Sequence, residues 1–285
     1  MQQQKILSIQ SSVSYGHVGN SAVCFPLQRL GVEVYPIPTV LFSNHTGYGL
    51  WRGQVLEPSL VEELYVGIKE RNALSHCNAL LTGYMGSKDL GFVMLRILKD
   101  LKQLNPNLLY CCDPVMGDVG RGFFVREGIP EFFKEEIIQY ADIITPNHFE
   151  LEYLSGTSFD DIPSAIAAAR KVMQQGPSLV LVTSLRLKEE ADKIHILAVD
   201  KNESFLVTTP LLKQNFNGTG DLTSALFTHF YLKTKKCGFS LEQTIARVYS
   251  IIEKTLESGT KELVLVKAQE NFVSPKHFFQ SRKVS

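Results

Sequence analysis

Neither sign of charge dominates this sequence: 29 Lys and Arg residues stand against 29 Asp and Glu, for a formal net charge of zero. A balanced chain has no electrostatic footprint for nucleic acid or an anionic membrane, so neither is expected as a partner. The short basic cluster Lys233, Lys235 and Lys236 reads as a solvated helix end. No apolar run approaches the ~18 residues needed to span a bilayer. The stretch Ile6 to Ile9 is too short for the core of a signal peptide. The five cysteines (Cys24, Cys77, Cys111, Cys112, Cys237) are odd in number and match no zinc spacing. With Cys111–Cys112 inside an apolar run, they read as buried reduced thiols in a reducing compartment. A soluble, cytoplasmic protein is expected.

Several signatures are also missing. There is no internal repeat and no low-complexity linker. Without G-x-x-x-x-G-K-[ST] the chain is not a P-loop nucleotide binder, and without G-x-G-x-x-G it has no dinucleotide fingerprint. The absence of H-R-D excludes a protein kinase, and neither G-x-S-x-G nor H-E-x-x-H occurs.

What is present is enough apolar sequence, 44% of 285 residues, for one domain over 1–285 with a large core. Short runs rich in Val, Ile and Leu predict strands at Lys5–Ile9, Glu33–Val40, Ala79–Thr82, Leu108–Cys112, Asp142–Thr145, Leu179–Thr183, Ile194–Val199, Phe205–Thr208 and Leu263–Val266. Helical patterns lie between most of them, including Val61–Arg71, Phe92–Leu104, Ile162–Gln175 and Leu222–Tyr231. The alternation implies an α/β fold with a mostly parallel central sheet and helices on both faces. The closely spaced pair in Ile194–Thr208 predicts an antiparallel hairpin, and polar, Gly-rich Ser43–Gly53 a small flap over a site.

Parallel sheets bind ligands beyond the carboxyl ends of their strands, so the segments after each strand matter most. The first carries Gln10-Ser11-Ser12-Val13-Ser14-Tyr15-Gly16-His17-Val18-Gly19-Asn20, which either presents hydroxyls and amides to a ligand or caps a helix through Asn20 or Ser14. Asp113-Pro114-Val115-Met116-Gly117-Asp118 offers two carboxylates to a hard divalent cation; ordinary turn chemistry is the alternative. Thr145-Pro146-Asn147-His148-Phe149-Glu150 resembles a capping box, and its Asn147 and Glu150 could equally face the crevice. In Asn217-Gly218-Thr219-Gly220-Asp221, two glycines let backbone amides approach an anion at a helix start, where Asp221 could take a proton from an attacking hydroxyl. A Gly-rich loop with an Asp that favours a helix start is the alternative.

Together and in this order, the segments resemble the ribokinase-like superfamily and, within it, the pyridoxal kinases. The resemblance runs from Ile6 to about Phe279, and Phe42-Ser43-Asn44-His45-Thr46-Gly47-Tyr48 is its most specific stretch. It implies an ATP- and magnesium-dependent kinase acting on the hydroxymethyl group of pyridoxal or a close relative. By that resemblance Ser11 and Thr46 contact the pyridoxal ring, His45, Gly47 and Tyr84 line its pocket, and Asp221 is both substrate contact and base. Asp113, Asp118 and Glu150 hold cations or their waters, with Asp113, Thr145 and Glu150 on the nucleotide side. Asn147, Thr183 and Ser184 contact ATP phosphates, Phe216 lies near the nucleotide, and Gly218, Thr219 and Gly220 form the anion hole. The resemblance also implies a homodimer and leaves a monovalent cation open. Two departures stand out: Thr183 and Thr209 occupy positions where some bacterial members carry Lys and Arg. Loss of those cations predicts altered ATP affinity, and the lid, Asp118 to Glu127, is short. A hydroxymethylpyrimidine kinase and a non-catalytic vitamin B6 binding protein are the rival readings.

Overall fold

The computed structural model describes residues 3–212 and 214–285. Its strands are β1 (Lys5–Val13), β2 (Glu33–Phe42), β3 (Gly53–Val55), β4 (Ala79–Thr82), β5 (Leu109–Cys112), β6 (Gly117–Asp118), β7 (Gly122–Phe123), β8 (Ile143–Ile144), β9 (Leu179–Leu185), β10 (Lys193–Asp200), β11 (Ser204–Pro210) and β12 (Arg282–Val284). Its α-helices are α1 (Asn20–Arg29), α2 (Pro58–Glu70), α3 (Lys88–Leu104), α4 (Ile129–Phe132), α5 (His148–Ser155), α6 (Ile162–Met173), α7 (Thr219–Thr234), α8 (Cys237–Glu257) and α9 (Glu270–Val273).

Ten strands form one sheet in the order β12-β11-β10-β9-β8-β5-β4-β1-β2-β3. The six from β9 to β2 run parallel. Antiparallel strands finish both edges: β3 on one side, β10 to β12 on the other. Parallel strands buried on both faces should be continuously apolar, and β4 and β5 are buried at every position. One face packs Leu7, Ile9, Leu80 and Tyr110 against α3 residues such as Met94 and Leu98. The other packs Ile6, Leu81 and Ile143 against Val23 of α1 and Ala225 and Phe227 of α7. Helices therefore cover both faces, as the alternation of elements predicts. All five cysteines are free thiols, four of them buried.

Two expectations need correction. Leu263–Val266 is not a strand: it is turn and irregular backbone whose Leu263 and Leu265 pack on Leu222, Leu226 and Phe230 of α7. A run of four apolar residues is too short for periodicity to distinguish a strand from any other buried segment. Nor do Ser14 or Asn20 cap α1, whose N-cap is Gly19. Asn20 is buried instead, accepting from the Ser8 hydroxyl at 2.7 Å and donating to the carbonyls of Gln10 and Ile37 at 3.2 and 3.1 Å. It holds β1, β2 and the start of α1 together beneath the site.

Candidate active site

The carboxyl ends of the parallel strands open into one cavity of about 580 Å³. Ser11 reaches it from β1, Tyr84 from beyond β4, Asp113 from beyond β5, Thr145 from beyond β8, and Thr183 and Ser184 from β9. Antiparallel β3 and β11 frame the opening, with His45 and Thr46 on the segment between β2 and β3. That segment is the flap read from Ser43–Gly53, anchored where Phe42 of β2 pairs with Gly53 of β3. Every site residue expected from the sequence lines this cavity except Gly47, which is exposed and donates its N–H to His45 Nδ1 at 3.1 Å.

The floor is acidic. Asp113 is 5% exposed, and its Oδ2 lies 3.1 Å from the Ser224 hydroxyl, which in turn is 2.8 Å from the Thr145 hydroxyl. Burial and, next, the charge of Asp221 push the Asp113 carboxyl up to about 8. Asp221 itself is raised by burial, against the opposing pull of the Gly19 N–H and its own. Glu150 is raised by burial and by Asp113, although backbone N–H groups stabilise its charge. These are the N–H of Met116 at 2.8 Å and of Gly117 at 3.4 Å on Oε1, and that of Asn147 at 2.9 Å on Oε2. The Asn147 side chain accepts the Glu150 N–H at 3.0 Å, completing a capping box on α5. Cap and cavity wall are thus the same residues: Asn147 Nδ2 also donates to the Gly117 carbonyl at 2.7 Å, tying α5 to β6.

Asp118 is exposed at the start of the β6–β7 hairpin, its Oδ1 accepting the Val119 N–H at 2.8 Å. Among the described residues, no three His, Cys, Asp or Glu side chains converge into a metal cage. Asp113, Asp118 and Glu150 therefore share a cavity without forming a ligand triad of their own. A divalent cation suits this donor set when phosphate oxygens and water complete its shell, as magnesium prefers.

The anion site is built by backbone. Gly218 starts α7 with φ +81°, and a Cβ there would meet the His17 carbonyl at 2.0 Å, so only glycine fits. The first turn of α7, Thr219-Gly220-Asp221, then presents its amides and the positive end of the helix dipole to the cavity. Asp221 and Ser224 sit three apart on one face of α7, so helix geometry brings the proposed base and the partner of Asp113 to the same side.

Sequence reasoning missed three contributors. Trp51 of the flap lines the cavity and packs on Phe42, with ring centroids 4.2 Å apart. Arg121 and Arg126, flanking the tip and base of the β6–β7 lid, line it too. Among the described residues, arginine ion pairs are those of Arg29, Arg71 and Arg96, so both lid guanidiniums are unpaired. The signal available for Arg121 was its place between Gly120 and Gly122 at a hairpin tip. Ser224 could have been found from its spacing to Asp221.

The family model described as phosphomethylpyrimidine kinase matches residues 56–265. A pyridoxal kinase PdxY of Rubrobacter xylanophilus is 52% identical over 98% of this chain and 97% of its own. One from Leifsonia xyli is 46% identical over 98% and 99%. Among solved structures, the pyridoxal kinase of Leishmania donovani in complex with ADP and pyridoxamine superposes with a TM-score of 0.93 at 27% identity, covering 99% of this chain and all of that one. That of Trypanosoma brucei gives 0.89 at 30% identity over the whole of both chains. The chain belongs to the phosphomethylpyrimidine kinase family and, within it, to the pyridoxal kinases of ribokinase-like fold.

Proposed function

We infer that the protein transfers the γ-phosphoryl group of ATP to the 5′-hydroxymethyl group of pyridoxal, giving pyridoxal 5′-phosphate in vitamin B6 salvage. The observation that carries the reading is that Gly218-Thr219-Gly220-Asp221, at the start of α7, opens into the same cavity as the flap residues His45 and Thr46. A phosphate site and a ring site share one space, with a carboxylate at the junction.

The flap side suits a flat heteroaromatic ring. Val18, Val40, Val55 and Trp51 supply apolar wall, while the Ser11 and Thr46 hydroxyls can bond ring substituents. The opposite side suits a nucleotide, with Asn147, Thr183 and Ser184 toward the phosphates and Phe216 near the base or sugar. Asp221 accepts the proton of the 5′-hydroxyl as that oxygen bonds to the γ-phosphorus and the bond to the β–γ bridging oxygen breaks, releasing ADP. The amides at the start of α7 stabilise charge on the transferring group. Magnesium bound with the nucleotide supplies charge neutralisation on the phosphates; Asp113, Glu150 and Asp118 are the residues that would hold it, directly or through water. Arg121 and Arg126 stand where the lid can bring cations to the phosphates, in a site whose Thr183 and Thr209 carry none. The working unit is a homodimer in the cytoplasm.

Steady-state assays with Mg-ATP and each of pyridoxal, pyridoxamine, pyridoxine and hydroxymethylpyrimidine test the reading. The expected result is turnover of pyridoxal with a kcat/KM far above that for hydroxymethylpyrimidine. Preference for the pyrimidine, or tight vitamer binding without turnover, overturns it. Light scattering at assay concentration checks the dimer.

A further inference from the structure

Three carboxylates combine a charge with near-complete burial among the described residues: Asp113, Glu150 and Glu262. The first two belong to the cavity floor. Glu262 does not line the cavity; it sits on the irregular segment after α8, 7% exposed, with no Lys or Arg paired to it among the described residues. Burying a carboxylate without a counter-ion is costly unless neutral donors satisfy it. Two do. Glu262 Oε1 accepts the Tyr48 hydroxyl at 2.8 Å, and Oε2 accepts the His17 N–H at 2.9 Å.

These donors come from the two movable walls of the ring site. Tyr48 ends the short helical turn Thr46–Tyr48 at the flap tip, directly after the residues that face the cavity. His17 lies in the β1–α1 loop. Its carbonyl is the atom that a side chain at Gly218 would strike, and Gly19, two residues on, opposes the raised Asp221 carboxyl through its N–H. The loop also gives way to admit Glu262: Gly16 has φ +90°, and a Cβ there would lie 2.1 Å from Glu262 Oε2. Tyr15 packs edge-on against Tyr48 at 6.2 Å, closing the same junction from outside. On the far side, the Gln214 side chain donates to the Thr260 carbonyl at 2.8 Å, so the strand leading to the anion loop is fastened to the Glu262 segment as well.

We propose that Glu262 is a positioning residue that latches the flap, through Tyr48, to the loop that aligns the α7 anion site and Asp221. The latch couples closure over the vitamer ring to alignment of the phosphoryl-transfer end of the cavity. It specifies the flap conformation without touching substrate, and rests on the reading of the cavity as a pyridoxal kinase site.

The two arms of the latch separate by mutation. Tyr48→Phe removes only the flap arm, and the exposed position of its ring makes misfolding no concern. It should raise the vitamer KM on the order of tenfold, the effect of one charge-assisted hydrogen bond, with the ATP KM and kcat within about twofold. Glu262→Gln weakens both arms, so it should raise the vitamer KM similarly and lower kcat as well. The double variant should show no further rise in vitamer KM over Glu262→Gln, since both changes break one bond. Hydrogen exchange of the amides of residues 43–53 reads the latch without turnover, and should quicken in both variants. A merely structural Glu262 predicts the opposite pattern: a lower melting temperature with both KM values and flap exchange unmoved, and that result overturns the latch. If the wild-type protein phosphorylates no vitamer, the functional reading fails, and flap exchange alone then decides whether the latch exists.

Discussion

Asp221 concentrates the chemistry at the residue scale. It follows Gly218-Thr219-Gly220, lines the cavity, and is held by burial above the ordinary aspartate range. A base must be ionised to act, so a raised pKa moves the acid limb of kcat upward in pH relative to an exposed aspartate. Asp221→Asn keeps the shape and can still favour the helix start, so the melting temperature should hold. Loss of the proton acceptor should lower kcat by about 10²–10⁴ with both KM values little changed. Near-native kcat in a folded Asp221→Asn protein, or loss of stability in place of kcat, would return this residue to a capping role. The neighbouring Asp113 illustrates how one residue type serves two ends. Its carboxyl meets Ser224 and the charge of Asp221, is pushed up to about 8, and so favours a cation next to it over any proton acceptor's role at neutral pH.

At the scale of elements, the lid makes the clearest forecast. The β6–β7 hairpin spans only Gly117 to Phe123, yet brings Arg121 and, beyond it, Arg126 to the cavity edge, both exposed and unpaired among the described residues. The double change Arg121→Ala with Arg126→Ala should raise the ATP KM by roughly tenfold or more, the cost of losing hydrogen bonds to a charged group. Stability should be unaffected, because no folded-state contact of consequence is lost; a rise confined to the vitamer KM would place the lid over the wrong substrate. This element also marks how far the sequence could be read. Buried parallel strands announce themselves: β4 is Ala79–Thr82 in sequence and structure alike, and the segments after β1, β5, β8 and β9 do meet in one cavity. The parallel topology dictates that much. Polar extensions do not announce themselves, and β1 runs on from Ile9 to Val13 because Gln10 and Ser8 are satisfied by each other and by Asn20. The flap was legible from its Gly-rich, polar composition, while the partner that fixes it, Glu262, lies 245 residues from His17 with no local pattern to betray it. The 21-residue α8 escaped a reading that weighted strand ends over helices, and Leu263–Val266 imitated a strand because it buries two leucines at alternate positions.

For the whole molecule, the acidic cavity floor predicts how stability depends on pH and ligand. No described helix is long and apolar enough to cross a membrane, so stability in solution can be measured directly. His17, His45, His148, His195 and His229 are all held below the usual histidine value, chiefly by burial, His229 at about 4. A depressed folded-state pKa contributes stability that is present above the unfolded value of 6.5 and lost as pH falls, so these groups act on the acid side. Asp113, Glu150 and Asp221 shift the other way, all raised. Their contribution is fully present below the unfolded carboxylate value and is lost as pH rises through the folded one, about 8 for Asp113. Between pH 6.5 and 8 the histidine contribution is therefore flat while the carboxylate contribution falls. In that window the native state of the metal-free protein binds more protons than the unfolded chain, so stability drops by up to about 1.4 kcal/mol per pH unit for each such group. In chelator, the melting temperature should accordingly fall by a few degrees from pH 6.5 to pH 8. Mg-ADP brings positive charge to the same carboxylates, draws their pKa values down and releases protons on binding, so its stabilising increment should be larger at pH 8 than at pH 6.5. Asp113→Asn isolates the cause. It cannot ionise, so it should flatten the slope and raise the melting temperature of the metal-free protein at pH 8 while lowering kcat/KM, exchanging function for stability. An Asn variant that keeps the wild-type slope would show that the acidic floor does not set this pH dependence, and would remove the electrostatic case for a cation beside Asp113.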